Sequence, residues 1–188
     1  AEFMFTSSSH DYLLFFSNRG RVYRLKAYEI PEGSRTSKGM NIVNLLPLEG
    51  DEKVTAMIRV AEFEEDKYLC MVTKHGIIKR TELGAYDTAR KGGIIAITLD
   101  EGDELRWVRM TSGDDELIVA TRKGMAIRFH EQDARVVGRT ARGVRAINLS
   151  DEKGDEVVGM SVVREGANLL TVTETGYGRR SEFADYRL

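Results

Sequence analysis

YLLFFSNRGRVYRLKAYEIPEGSRTSKGMNIVNLL, residues 12–46, carries a pattern that returns twice in full and a third time cut short along the 188-residue chain. It opens with a β-rich run from Tyr12 to Phe16 and turns through Ser17-Asn18-Arg19-Gly20. It leaves as Val22-Tyr23-Arg24-Leu25-Lys26, apolar and basic residues alternating with period two, the pattern of a hairpin with one wet, cationic face. A loop with Arg35, Lys38 and Gly39 follows, and then a short apolar segment from Ile42 to Leu46. Hairpin, basic loop, strand is the unit.

Working outward, the tripeptide Gly-Asp-Glu begins at Gly50, Gly102 and Gly154, a step of 52 residues each time. The hairpin glycines Gly20, Gly76, Gly124 and Gly176 and the loop-closing glycines Gly39, Gly93 and Gly143 recur at nearly the same interval. Self-similarity of this kind divides the chain into units of about 1–50, 51–102, 103–154 and 155–188, the last stopping before its fourth strand. The spacing predicts strands at 3–7, 12–17, 21–30 and 41–46, then at 54–60, 67–73, 76–83 and 93–99. The third unit supplies 104–110, 116–122, 124–130 and 144–149, and the fourth 156–163, 168–174 and 177–183. No segment keeps a helical period, so an all-β, propeller-like array of four-stranded blades is expected, one blade to each unit.

Composition agrees with a folded domain: 41% hydrophobic and 31% charged residues, many glycines and only 2 prolines. The single cysteine, Cys70, sits in an apolar run and reads as a small buried hydrophobe. No apolar run reaches the ~18 residues of a membrane span, no signal peptide opens the chain, and a cytoplasmic location is expected. The net charge of −2 hides strong patterning. Segments 17–44, 74–93 and 122–145 carry +4, +3 and +5, whereas 49–66, 100–116 and 151–165 carry −5, −5 and −3. If like segments share a face, a near-neutral chain presents a positive stripe suited to nucleic acid.

At Arg19-Gly20-Arg21-Val22-Tyr23 and Ile42-Val43-Asn44-Leu45-Leu46-Pro47-Leu48-Glu49 the chain resembles the family of C-terminal domains of the DNA gyrase A subunit. The resemblance extends over essentially the whole chain, through the Gly-Asp-Glu links, Thr111-Ser112-Gly113 and the Thr-Gly-Tyr-Gly turn within 168–180. It implies a β-pinwheel that wraps double-stranded DNA around its outer edge. It also implies service to ATP-dependent negative supercoiling by a type IIA topoisomerase, with the rest of the gyrase A protein and, through it, the gyrase B protein as partners. The family's Gln-Arg-Arg-Gly-Gly-Lys-Gly box does not occur, though Ala89-Arg90-Lys91-Gly92-Gly93 looks like a degenerate relative of it. The catalytic tyrosine of the family lies in another domain, so none of the seven tyrosines takes that role and the module is expected to be non-catalytic. The related domain of topoisomerase IV and a protein-binding propeller are the alternatives.

Candidate phosphate contacts are the cations of the loops between third and fourth strands: Arg35, Lys38, Arg90, Lys91, Arg135, Arg139 and Arg142. Third-strand residues Arg24, Lys26, Lys79, Arg80, Arg128, Arg179 and Arg180 come second. Phosphate tracking needs several cations spread along a path, and guanidinium forks suit phosphate oxygens. The Gly-Asp-Glu links read as turns rather than metal sites, and His10, His75 and His130 lack ligand spacing. No metal or other cofactor is expected.

Overall fold

The computed structural model describes residues 10–30, 42–149 and 154–163, together with the backbone of the strands at 168–172 and 178–182. In chain order the strands are β1 (Tyr12–Ser17), β2 (Arg21–Lys26), β3 (Val54–Val60), β4 (Tyr68–Thr73), β5 (Ile77–Glu82) and β6 (Ile94–Ile95). They continue with β7 (Leu105–Thr111), β8 (Glu116–Thr121), β9 (Ala126–His130), β10 (Val144–Arg145), β11 (Val157–Val162), β12 (Asn168–Val172) and β13 (Gly178–Glu182). The helical segments among the described residues are single 3-10 turns: Ala27–Glu29, Ile42–Leu45, Leu83–Tyr86 and Glu131–Asp133.

The first three hairpins each turn on a glycine in the left-handed region, Gly20 at φ 78°, Gly76 at 90° and Gly124 at 92°. Their amides donate back to Ser17, Thr73 and Thr121 at 3.0, 3.1 and 3.2 Å. An L side chain is disfavoured at such a φ, which is why glycine recurs there.

The sheets do not follow the sequence units, which corrects the expectation of one unit to one blade. Their strand orders are β3-β1-β2-β6, β10-β5-β4-β7, β11-β8-β9 and β12-β13. The first two each combine the hairpin of one unit with the first and fourth strands of the next. β1 pairs with β2 on one side, and β3 takes its other edge, Tyr12 facing Val60. β6 and β10 are correspondingly short, two residues each, because the chain turns once it reaches the hairpin glycine of the preceding unit. The amides of Ala96 and Ile97 both donate to the Gly20 carbonyl, and those of Ala146 and Ile147 to that of Gly76. Residues 42–45, expected within a strand, form a 3-10 turn instead; no preceding hairpin edge is available to them among the described residues. The expected strand at 3–7 lies outside the described residues.

Neighbouring sheets stack with apolar layers between them, and a further layer on the outer face of the first sheet is closed by Ala27, Ile30 and Leu46. Along β1, Leu14 and Phe16 face a cluster with Val22, Leu69, Met71 and Val108, while Leu13 and Phe15 face another with Tyr23, Leu25 and Val54. β4 does the same, sending Leu69 and Met71 to the first layer and Cys70 and Val72 to a third with Leu117 and Val119. Central strands covered on both faces read as continuous apolar runs, as YLLFF and YLCMV do. The Cys70 thiol is buried, and that burial pushes its pKa up to about 12.

Candidate nucleic-acid interface

Strands β3, β7 and β11 lie beside one another across the stacked sheets, so β6 and β10 form the opposite edge. Two loops lead to that edge. Residues 83–93 leave β5 and cross to β2 of the preceding sheet, and residues 131–143 leave β9 and cross to β5. Each is laid down through a parallel bridge, Tyr23 with Arg90 and Arg80 with Val136. The Arg24 amide donates to the Arg90 carbonyl at 3.0 Å, and the Val137 amide to the Arg80 carbonyl at 2.9 Å. A buried alanine anchors each crossing, Ala89 in one and Ala134 in the other. The next residue, Arg90 or Arg135, is exposed at a corresponding point of successive sheets. Lys91 beside Arg90 is exposed too, and none of the three has a carboxylate partner among the described residues.

Past that point the loops differ. The first closes at once, the Gly93 amide donating to the Arg90 carbonyl at 3.0 Å. The second runs on to Gly143 and is tied to the preceding unit: the Thr98 hydroxyl and amide donate to the carbonyls of Thr140 and Ala141 at 2.6 and 3.2 Å. Arg139, half-buried, donates to the Ile95 carbonyl. Arg142 is exposed but grips Asp100 through Nε and Nη2.

The third-strand cations separate into two groups. Arg24 and Lys26, half-buried, cover the Tyr12 ring at 5.0 and 3.5 Å, with Arg24 Nη1 also donating to the Asp87 carbonyl. Lys79 and Arg80, expected to face phosphate, are instead buried, with 1% and 7% exposure. Arg80 pairs with the fully buried Glu131 at 3.2 Å, and Lys79 Nζ donates to the carbonyls of Ala96 and Arg139. Consecutive on β5, the two point to opposite faces, and the next unit's crossing segment meets both, the Arg139 carbonyl taking Lys79 and Ala134 with Glu131 taking Arg80. Arg128, half-buried, is held by Glu116. Arg179 and Arg180 belong to β13, described only by its backbone, and Arg35 and Lys38 lie outside the described residues.

At this edge one exposed cation among the described residues escaped the sequence reading. Arg145 stands on β10, opposite Ile77, two residues past Gly143. The short edge strand, whose Val144 and Arg145 are both exposed, is the signal that could have found it.

The acidic links lie beside the hairpin turns. Asp51 pairs with Arg19, Glu156 with Lys74 and Arg122, and Asn18 donates to Glu104 at 3.3 Å. Asp103 accepts from the amides of His75 and Glu104, and Glu52 from Tyr23 Oη at 2.8 Å and the Glu49 amide. Burial, with the Glu52 carboxylate, lifts the Tyr23 phenol to about 12. These are turns and staples. Among the described residues no cluster of three histidine, cysteine or carboxylate side chains could hold a metal ion.

The sequence profile described as the DNA gyrase C-terminal domain, a beta-propeller, matches residues 11–61, 67–112, 115–164 and 167–188. The chain belongs to this family. Each of the first three matches runs from a hairpin to the strand after the acidic link, β1 to β3, β4 to β7 and β8 to β11, so it holds three strands of one sheet and, in the second and third, the short edge strand of the preceding sheet. Among curated relatives, the DNA gyrase A subunit of Halalkalibacterium halodurans is 57% identical over 77% of this chain and 17% of its own length. That of Staphylococcus aureus is 47% identical over 97% of this chain and 21% of its own. The chain therefore spans about a fifth of the length of these relatives. A solved DNA gyrase A C-terminal domain superposes with a TM-score of 0.76 at 31% identity, over 96% of this chain and 57% of its own. A C-terminal domain of DNA topoisomerase IV superposes with a TM-score of 0.85 at 29% identity, over 95% and 55%. Among the described residues no helix is long and apolar enough to cross a membrane.

Proposed function

We propose that the chain is a non-catalytic DNA-binding and DNA-wrapping module of a cytoplasmic DNA gyrase A protein. Duplex DNA runs along the edge formed by β6, β10 and their crossing loops. The rest of the gyrase A protein, and through it the gyrase B protein, supplies strand passage and ATP-dependent negative supercoiling. The observation that carries the reading is the placement of Arg90 and Arg135, exposed at corresponding points of successive sheets. Lys91, Arg139, Arg142 and Arg145 extend the row, with Arg24 and Lys26 behind it; Arg35, Lys38, Arg179 and Arg180 belong to the same repeating positions in sequence. Cations at regular steps suit a phosphate backbone, and each phosphate neutralised adds about 0.9 to the slope of log affinity against log salt. Among the described residues the single 3-10 turns offer no helix to enter a major groove, so sequence tolerance with a preference for bendable DNA follows.

The superposition on the topoisomerase IV domain favours a second reading, binding without wrapping. Ligation of nicked circular DNA at rising concentrations of the chain separates the two. A change in linking number, alongside steeply salt-dependent binding to unrelated duplexes, supports wrapping. Binding with unchanged linking number supports the second reading, and no binding at low salt would overturn both in favour of a protein-binding rim.

A further inference from the structure

Lys79 is a buried cation with no carboxylate against it among the described residues. Its ammonium meets only carbonyls, that of Ala96 at 2.5 Å and that of Arg139, which belong to different units of the repeat. The position has a counterpart in the preceding sheet. Tyr23 on β2 and Lys79 on β5 precede Arg24 and Arg80, and both lie under the loop-closing glycine of the next unit. A Cβ at Gly93 would stand 2.5 Å from the Tyr23 ring; one at Gly143 would stand 2.4 Å from the Ile78 carbonyl oxygen and 3.0 Å from Lys79 Cβ. The same seat therefore carries two crossing loops and uses different chemistry for each.

The difference follows from loop length. The first loop turns tightly, and the Arg90 carbonyl is taken by the Arg24 and Gly93 amides, so an aromatic ring beneath it need supply only shape. The second is longer between its exposed arginine and its glycine, and it turns carbonyls inward toward β5. A buried carbonyl without a donor is destabilising, and an ammonium can satisfy several at once.

We propose that Lys79 is a positioning residue for DNA binding, its ammonium holding residues 138–143 in the arrangement that sets Arg139, Arg142 and Arg145 in line with Arg90 and Arg135. The inference rests on the DNA-binding reading above. Lys79 touches no DNA; it acts through the loop it pins. Thr98 pins the same loop from its exposed side through the carbonyls of Thr140 and Ala141.

The ammonium also links binding to protons. Burial, reinforced by the nearby Arg139 guanidinium, lowers the pKa of Lys79 to about 7. The ionisable groups facing it are Arg139 from the crossing loop and the Tyr86 ring, 5.9 Å away, from the 3-10 turn after β5. Phosphates drawn to the loop favour the charged ammonium, so binding should take up protons and weaken as pH rises through that value.

The test compares the unaltered chain with Lys79→Met and Thr98→Ala on a 40-base-pair duplex, with salt and pH titrations. Lys79→Met should reduce the salt slope by roughly one to two and weaken affinity on the order of tenfold near 0.1 M salt for every phosphate left without its cation. It should also lose proton uptake between about pH 6.5 and 8, read by calorimetry in buffers of different ionisation enthalpy. Thr98→Ala, a surface change that leaves the core intact, should reduce the slope by a smaller amount. A folded Lys79→Met chain that keeps the slope and the proton uptake overturns the inference while leaving DNA binding standing. If Lys79→Met does not fold, an unchanged slope in Thr98→Ala overturns it. An unaltered chain that binds no duplex removes the underlying reading, a different result from either.

Discussion

Arg142 and Asp100 form a two-pronged pair across units, Nε donating to Oδ1 at 2.5 Å and Nη2 to Oδ2 at 2.6 Å. The guanidinium hydrogen bonds hold the Asp100 carboxyl below the usual carboxylate range, so the pair stays ionised throughout neutral pH. A phosphate reaching Arg142 must displace Asp100. Asp100→Asn should therefore tighten DNA binding severalfold and steepen the salt slope by about 0.9, with little change in melting temperature because both side chains are exposed. Salt titration by fluorescence anisotropy checks it; unchanged affinity and slope would take Arg142 off the DNA path.

Glu131 sits at the opposite extreme, fully buried and accepting from Arg80 Nη1 at 3.2 Å, the Thr111 hydroxyl at 3.1 Å and the Asp115 amide at 3.1 Å. Its removal leaves a guanidinium without its counter-charge in the core, at a cost of about 3–5 kcal/mol. Glu131→Ala should lower the urea midpoint accordingly, and a shift worth less than about 1 kcal/mol would show that water reaches Arg80.

How much of this was legible in the sequence follows from the two kinds of signal it carries. Local signals held: β1 and β3 fall at the expected 12–17 and 54–60, and the hairpin glycines Gly20, Gly76 and Gly124 stand where their spacing put them. Strand ownership was not legible, because a repeat has the same period whichever copy supplies a sheet's edge. That one ambiguity also misplaced Lys79 and Arg80. Alternation marks the third strands as half wet, but β5 is almost wholly buried under the crossing loop of the next unit, whereas β9 is half-buried along its length. Arg90, Lys91 and Arg135 kept their exposure because they belong to the covering layer rather than the covered one.

The same layering predicts unequal tolerance at equivalent glycines. A Cβ at Gly76 would lie 2.7 Å from the Ile147 carbonyl oxygen, while one at Gly124 has nothing within 4 Å among the described residues. Both positions have positive φ, so alanine costs each about 1–2 kcal/mol of backbone strain. Gly76→Ala must in addition push the incoming chain off the hairpin, a further ~1–3 kcal/mol. Denaturant titration of the two variants should show that gap, and equal losses would mean the crossing segment yields without cost.

The sharpest consequence concerns Arg90 and Arg135. If DNA follows the edge from one sheet to the next, the two residues meet different phosphates of the same duplex through equivalent geometry. Arg90→Ala and Arg135→Ala should then each flatten the salt slope by about 0.9, weaken unrelated duplexes alike, and add when combined, since exposed, separate sites rarely couple. Asp51→Asn is the control, its carboxylate paired with Arg19 beside the hairpin turn; it should leave the slope alone. Glu52 would be a poor control, because its carboxylate holds the buried Tyr23 hydroxyl and its loss would disturb the fold. Salt titrations of the four variants on two duplexes of unrelated sequence decide the matter. A loss confined to one sequence would mean base reading, and a slope altered as much by Asp51→Asn would mean that DNA does not follow this edge.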